Sequence, residues 1–315
     1  MAQNDNFSGQ EANAPDPTAA RAGAELDRLV KDELPAGLYL VSTPIGNLAD
    51  ITLRALGVLA RADVIYCEDT RHSRTLTSHY AIRVPLRPYH EHNAASERPR
   101  VLAELVAGKR VALISDAGTP LVSDPGFKLV RDALEAGHRV ESVPGVSAVL
   151  AALTVAGLPT DSFFFGGFLP HRQAARRSRL AELAAVPSTL VFFEAPSRLA
   201  EALADLADVY GTRPAAVARE LTKLHEEIRR GPLPELAASI DAGKVKGEIV
   251  MLVGPPGARE ITDEVIVARL REMLASTTLR DASKAVAAEF SVARARVYEL
   301  GLQLRRSGMV SEAGD

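Results

Sequence analysis

The chain has no tryptophan, a single cysteine and only 5% aromatic residues across 315 positions. One cysteine, Cys67, excludes an intrachain disulfide and any cysteine-cluster metal site, and it suits a reducing cytoplasm. Long apolar runs are missing too. The longest, Val146 to Leu158, is interrupted by Ser147, Thr154 and Gly157 and falls short of a membrane span. The N-terminus offers acids and amides in place of a basic start and an apolar segment, which argues against a secretory signal. The 7 histidines are scattered without paired ligand spacing, so no metal is expected. No G-x-G-x-x-G follows the first strand and no G-x-x-x-x-G-K-[ST] occurs anywhere, which removes the main support for dinucleotide or nucleoside-triphosphate binding. The absence of G-x-S-x-G and H-E-x-x-H weighs against hydrolase and zinc-protease chemistry.

What is present is an ordinary globular balance, 47% hydrophobic and 24% charged, in a chain long enough for two cored domains and an appendage. The net charge of −3 is uneven. Residues 1–36 hold three basic side chains against seven acidic ones, a net of −4, which leaves the remainder at +1. That segment, poor in large apolar groups, is expected to be a disordered acidic tail apart from a helical turn near Leu26–Lys31.

From Gly37 onward short apolar strands alternate with helical patterns, the signature of an α/β fold. Arg110-Val-Ala-Leu-Ile114 reads as a buried strand that breaks into Ser115-Asp-Ala-Gly-Thr-Pro120 and Ser123-Asp-Pro-Gly126. A strand end this rich in Asp, Gly and Pro lies where an open α/β sheet places a ligand. Gly118 permits close backbone approach, and Asp116 and Asp124 supply carboxylates. Other polar strand ends follow the same design: Ser42-Thr-Pro-Ile-Gly-Asn-Leu48 after strand 37–41, Glu68-Asp-Thr-Arg71 after strand 63–67, and Glu194-Ala-Pro-Ser-Arg198 after strand 189–193. The boundaries drawn are an N-terminal α/β domain over 37–145, a second over 146–256, and a helical tail over 260–306. The tail's helix, helix, short turn and helix resemble a helix-turn-helix unit.

Two stretches are basic. Arg172, Arg176, Arg177 and Arg179 fall in a run without an acid, either a solvated helix face or a phosphate-contacting patch. The tail from Arg280 to Arg306, with Arg294 and Arg296, has six basic and three acidic residues and reads as a nucleic-acid surface or a packing helix. The mixed charges of Arg219–Arg230 suggest a solvated edge, although Lys223 and His225 could face a cleft.

Taken in order, Ser42-Thr-Pro-Ile-Gly-Asn-Leu-Ala-Asp50, Glu68-Asp-Thr-Arg71, Ser115-Asp-Ala-Gly-Thr-Pro120, Ser123-Asp-Pro-Gly126, Pro144-Gly-Val-Ser-Ala148, Gly167-Phe-Leu-Pro170, Phe192-Phe-Glu194 and Arg219-Glu-Leu-Thr222 resemble the tetrapyrrole methylase superfamily. Together they are similar to its 16S ribosomal RNA (cytidine-2′-O)-methyltransferase branch. The match runs from about Gly37 to Gly254, the tail looks like that branch's extension, and the first 35 residues have no counterpart. The resemblance implies two α/β domains with S-adenosylmethionine in the cleft between them, a homodimer, and a small-subunit RNA substrate in the cytoplasm. By the same resemblance Ser115, Asp116, Ala117, Gly118, Thr119 and Pro120 hold the methionine end of the cofactor. Ser147 and Ala148, the strand end at Phe193 and Glu194, and the Glu248–Val253 strand with Val253 complete that pocket. No general base is singled out; Asp50, Glu68, Asp69, Lys223 and His225 are candidates by location. Arg71, Arg172, Arg176, Arg177, Arg294 and Arg296 are the expected RNA contacts. Two competing readings are a porphyrinoid methylase of the same superfamily and a non-catalytic RNA-binding regulator.

Overall fold

The computed structural model describes residues 16–241, 245–257, 262–290 and 292–306. Its first sheet is built from β1 (Gly37–Val41), β2 (Val64–Cys67), β3 (Leu86–Pro88), β4 (Arg110–Ile114) and β5 (Val140–Val143). The spatial order is β3-β2-β4-β1-β5, and every pairing is parallel. Parallel strands need helical crossovers, and those crossovers cover both faces. They are α2 (Leu53–Arg61), α3 (Thr70–His79), α4 (Ala94–Val106) and α5 (Phe127–Glu135). Tyr39, Ile65 and Ala112 sit in the core on one face, while Leu38, Tyr66 and Val111 sit in the core on the other. From β1 the chain crosses towards β2, and from β4 it crosses the other way to β5. The gap beyond the carboxyl ends of β1 and β4 is therefore the point where strand order reverses, the usual ligand crevice of such sheets.

The second sheet, β6 (Phe163–Phe168), β7 (Thr189–Glu194), β8 (Pro214–Arg219), β9 (Glu227–Pro232) and β10 (Ile249–Val253), has the order β6-β7-β10-β8-β9. Only β6 and β7 are parallel; the other pairs are antiparallel. Helix α6 (Ala148–Val155), rich in small residues, packs on one face, where Ile45 from the loop after β1 also enters the core. Helices α7 (Gln173–Leu183), α8 (Leu199–Tyr210) and α9 (Leu233–Ser239) cover the other face. Ile45 thus ties the two sheets together, and both belong to one compact unit that runs to Pro255. The mixed-charge segment after Arg219 is a sheet edge, as its composition suggests. Its second half forms β9, whose residues alternate Glu227 and Arg229 with Ile228 and Arg230.

The expected acidic tail needs correcting. Residues 1–15 lie outside the described residues, but Pro17–Lys31 form a full helix, α1. Asp16 caps it by accepting from the Thr18 and Ala19 N–H groups, and Pro17 supplies a preset first turn. Ala22, Leu26 and Leu29 are its half-buried stripe. Leu29 lies so close to Gly57 of α2 that a Cβ at Gly57 would meet the Leu29 Cβ at 2.9 Å. Three modest apolar residues suffice because the partner helix offers a glycine.

A second unit begins at Pro256 and contains α10 (Asp263–Leu274), α11 (Leu279–Phe290) and α12 (Arg294–Arg306). Ile266, Leu270, Leu279, Val286, Val297 and Leu304 make its own core. Leu279 packs directly over Gly301. Among the described residues, no helix of the chain is long and apolar enough to cross a membrane.

Candidate active site

The loops after β1 and β4 are stitched to each other before they are offered to any ligand. Thr43 N–H donates to Gly118 O at 2.9 Å and Gly118 N–H returns a bond to Thr43 O at 3.0 Å. Gly118 holds φ at +80°, a region that favours glycine. Ser115 Oγ donates to Gly118 O at 3.1 Å, and Thr43 Oγ1 donates to Ser115 O at 3.1 Å. Thr119 Oγ1 donates to Val146 O at 3.3 Å, which links this loop to the segment before α6. Backbone amides are consumed in the bracing, so the loop presents a fixed surface.

Against that surface lies a cavity of about 350 Å³ between the two sheets. Ile45, Ala117, Ala148, Phe193, Leu221 and Val250 give it apolar walls. Asp116, Asp124, Glu194 and Glu248 place four carboxylates around it, a field that selects a cationic ligand. A second hollow of about 310 Å³ lies next to it, and the two share Ile45, Asp116, Ala117 and Glu248 as a common wall. The second hollow is bounded by the Thr43–Leu48 loop, His72 and Ser73 of α3, and Lys223.

Glu194 is 2% exposed and ends β7. Its Oε1 accepts from the Ala195 N–H at 2.8 Å and pairs with Arg198, whereas Oε2 has no partner. A buried unsatisfied carboxylate oxygen in a cavity wall is an open acceptor for a ligand hydroxyl or amine. Lys223 donates to Glu220 Oε1 at 2.8 Å and to Glu248 Oε2 at 3.1 Å. Burial works to lower this ammonium, but the two carboxylate bonds outweigh it and keep it cationic. The Asn47 N–H donates to Thr222 Oγ1 at 3.1 Å, a second tie between the two halves of the unit. Leu121, Ser123, Glu220 and Thr222 all hold positive φ without being glycine. Such strain, at about 1–3 kcal/mol per residue, is tolerated where the surroundings over-determine the backbone.

The expected cofactor residues divide. Asp116, Ala117, Ala148, Phe193 and Glu194 line the larger cavity. Ser115 lines the smaller one, and Gly118 and Thr119 brace the loop from behind. Pro120 and Ser147 line neither cavity. Val253 lies elsewhere, which corrects its assignment. Strand β10 runs antiparallel to β7, so its start, Ile249, meets Glu194 while Val253 pairs with Leu190 at the opposite end. Of the Glu248–Val253 strand, Glu248, Ile249 and Val250 do line the cavity, joined by Gly247, and a strand direction is not visible in a run of apolar letters. Phe168 and Leu221 were also missed; they line the cavity from β6 and from the loop after β8.

The candidate bases divide too. Asp69 caps α3 and is held down to about 2 by hydrogen bonds from the Arg71 side chain and backbone. Asp50 lines neither cavity, and His225 lines a different hollow beside Arg219 and Glu227. Glu68 is pushed up, first by burial and then by the negative charge of Asp116. Lys223 lines the smaller hollow.

The arginine run also requires correction. Arg176 is 1% exposed; its guanidinium bonds Asp205 at 2.7 Å, so it is neither a solvated face nor a phosphate contact. Arg177 is half-exposed and paired with Asp208 at 2.9 Å, and Arg172 is exposed ahead of α7. Arg71 is exposed but bound to Asp69 at 3.0 Å. In the second unit Arg294 is exposed, and Arg296 pairs with Asp263 at 2.6 Å. Among the described residues no group of three or more His, Cys, Asp or Glu could hold a metal ion.

Asp124 gives a testable pH signature. Burial, followed by the charge of Glu68, pushes its carboxyl up to about 6, against a smaller lowering by Ser115. The folded chain therefore keeps a proton that the unfolded chain releases near 3.8, and stability falls as pH rises through about 6. Discounted for partial solvent screening, the effect at pH 7.5 is about 1–2 kcal/mol. Asp124→Asn is expected to raise stability by that amount at pH 7.5 and to flatten the profile between pH 4 and 6.5 in urea titrations. A cationic ligand would favour ionised Asp124, so affinity for such a ligand is expected to rise with pH through the same window.

A family model of the tetrapyrrole (corrin/porphyrin) methylases matches residues 37–237. A Mesorhizobium japonicum protein named ribosomal RNA small subunit methyltransferase I is 50% identical over 279 residues, 85% of this chain and 95% of that one. The protein of the same name from Pseudomonas aeruginosa is 48% identical over 274 residues, 84% of this chain and 96% of that one. A solved uroporphyrin-III C-methyltransferase from Thermus thermophilus, complexed with S-adenyl homocysteine, has a TM-score of 0.51 at 24% identity, over 69% of this chain and 97% of that one. That last likeness is one of fold.

Proposed function

This chain belongs to the tetrapyrrole methylase family, and from that membership we propose that it transfers a methyl group from S-adenosylmethionine to the ribosomal RNA of the small subunit. The observation that carries the reading is the near-complete match to relatives named as methyltransferases of that RNA, which spans 95% and 96% of their lengths. In finer terms, the acceptor is the ribose 2′-oxygen of a decoding-region cytidine in 16S RNA. A homodimer and a cytoplasmic location belong to the same reading.

The larger cavity fits the donor. Its apolar walls suit an adenine and a methionine chain, its carboxylates suit a sulfonium and an ammonium, and the free Glu194 Oε2 suits a hydroxyl or amine. When bound, S-adenosylmethionine supplies a methyl group already activated on sulfur. The protein's task is then mainly to align the acceptor, and alignment is worth on the order of 7–11 kcal/mol. Asp116 and Glu248 are the carboxylates common to both hollows and are the groups placed to accept the hydroxyl proton. Glu248 Oε2 accepts from Lys223 and Asp116 Oδ1 accepts from the Asp69 N–H at 3.0 Å, so each keeps one carboxylate oxygen for the acceptor. The exposed Arg280, Lys284, Arg294, Arg305 and Arg306 give the helical unit a basic surface for RNA.

The test is transfer of labelled methyl from S-adenosylmethionine to small subunits purified from a strain lacking this protein. Alkali-resistant label at a cytidine is the expected result. Label on a base, or no transfer to subunits despite cofactor binding, would overturn the acceptor assigned here.

A further inference from the structure

The larger cavity, the smaller hollow and a third depression lie in succession, each sharing lining residues with the next, and the series ends on a helix face that carries only positive charge. The smaller hollow meets the cofactor cavity through Ile45, Asp116, Ala117 and Glu248. On its outer side it shares Leu48 and Thr75 with an open depression lined by Arg71, Arg74, Ser78 and His79. Helix α3, Thr-Arg-His-Ser-Arg-Thr-Leu-Thr-Ser-His, contains no acid, so nothing within it neutralises that face. Arg71 is tied to Asp69 just outside the helix, but its side chain is 89% exposed. Arg74 has no ion pair among the described residues and is exposed. An ordinary solvated helix face mixes both signs, because unlike charges three and four residues apart stabilise it. This one does not.

The geometry points to α3 as the entry track for the acceptor strand: the target nucleotide occupies the hollow between Thr43–Leu48 and Lys223, and Arg71 and Arg74 hold its flanking phosphates. This rests on the reading of the chain as an RNA methyltransferase and assigns the acceptor subsite within it. A hollow of about 310 Å³ is at the lower end of small-ligand pockets and suits one nucleotide, not a duplex. A nucleotide that enters it must therefore be single-stranded or leave its stack. Lys223, bonded to Glu220 and Glu248, stands in the wall of that hollow, so phosphate binding falls to the arginines at its mouth. Arginine forks at the mouth grip a backbone without reading sequence, which leaves base choice to the hollow.

The experiment uses the full chain, small ribosomal subunits as acceptor and labelled S-adenosylmethionine as donor, with Arg71→Ala/Arg74→Ala compared to wild type. Each single-strand phosphate contact contributes a slope of about −0.7 in log affinity against log salt. Losing two is expected to raise KM for subunits about tenfold at 0.15 M salt and to flatten its salt dependence by about 1.4. Cofactor affinity and cofactor-induced thermal stabilisation should match wild type, which also shows that the variant is folded. Arg74→Lys should recover most of the Arg74 loss, since it keeps the charge. Transfer by wild type with an unchanged KM and salt slope in the double variant overturns the entry track and leaves the methyltransferase reading standing. Equal loss of cofactor binding and methylation also overturns it, because α3 would then serve the cofactor cavity. No transfer by wild type overturns the parent reading and the track with it.

Discussion

Replacing Arg176 by Ala is expected to destabilise the two-sheet unit by about 3–5 kcal/mol, the usual consequence of breaking a buried ion pair from one side. Arg176 is 1% exposed and Asp205 of α8 is equally buried. Arg176 Nε donates to Asp205 Oδ2 at 2.7 Å and Nη1 donates to His171 O at 3.4 Å. Gln173 Nε2 donates to the other oxygen of Asp205 at 3.1 Å. Without Arg176 a buried carboxylate keeps only an amide and a more distant Arg177 at 3.7 Å. For a unit of this size the loss corresponds to a fall in Tm of about 6–20 °C. The pair Arg176→Met/Asp205→Leu is expected to recover most of it, because apolar groups of similar volume leave no buried charge behind. Salt dependence of RNA binding should be unchanged in that double variant. A phosphate contact would behave the opposite way, with little change in Tm and a flatter salt slope.

The same residue shows where reading the chain as letters stops. Local sequence made Arg172–Arg179 an uncompensated positive run, but α8 supplies Glu201, Asp205 and Asp208 from across the helix pair. Charge balance between distant elements is a tertiary property. The strand ends were readable because their chemistry is local: an apolar run followed by Asp, Gly and Pro declares both a buried strand and a turn. Loop 115–126 and loop 42–48 accordingly lie at the crevice they were expected to line. Direction was not readable, and the resemblance carried the whole strand into the pocket although Val253 lies at its far end. Strand β9 was hidden because its alternation is charged, with Glu227 bonded to both Arg219 and Arg229. The basic face of α3 was half readable: Arg71 stood out at a strand end, whereas Arg74 needed the neighbouring hollow to give it a meaning.

Placing an aromatic ring in the cofactor cavity is the change expected to remove activity most completely. Ala148 opens α6 and lines the cavity, opposite walls that include Ile45 and Phe193. Val149, next in sequence, and Ala152, one turn on, are buried in the core and anchor the helix, so the helix should hold while its first side chain grows. In Ala148→Phe the ring has one low-cost direction, into the hollow, because the side facing the core is close-packed. Without ligand the variant should therefore unfold within about 1 kcal/mol of wild type. The difference appears on adding S-adenosylmethionine. At a hundred times its Kd a ligand stabilises the folded state by about 2.7 kcal/mol, and the variant should gain none of it. Methyl transfer to small subunits should fall at least about 100-fold in parallel, since the loss is of binding and not of fold. Retained ligand stabilisation in Ala148→Phe would move the donor out of this cavity. The neighbouring hollow across the shared wall would then be the place to seek it, and Arg71 and Arg74 would face the donor's carboxylate instead of an RNA backbone. Because the two hollows share Asp116 and Ala117, a single pair of titrations on Ala148→Phe and on Arg71→Ala/Arg74→Ala separates donor from acceptor. Loss of donor binding in the first alone, with a raised KM for subunits in the second alone, is the outcome the geometry requires.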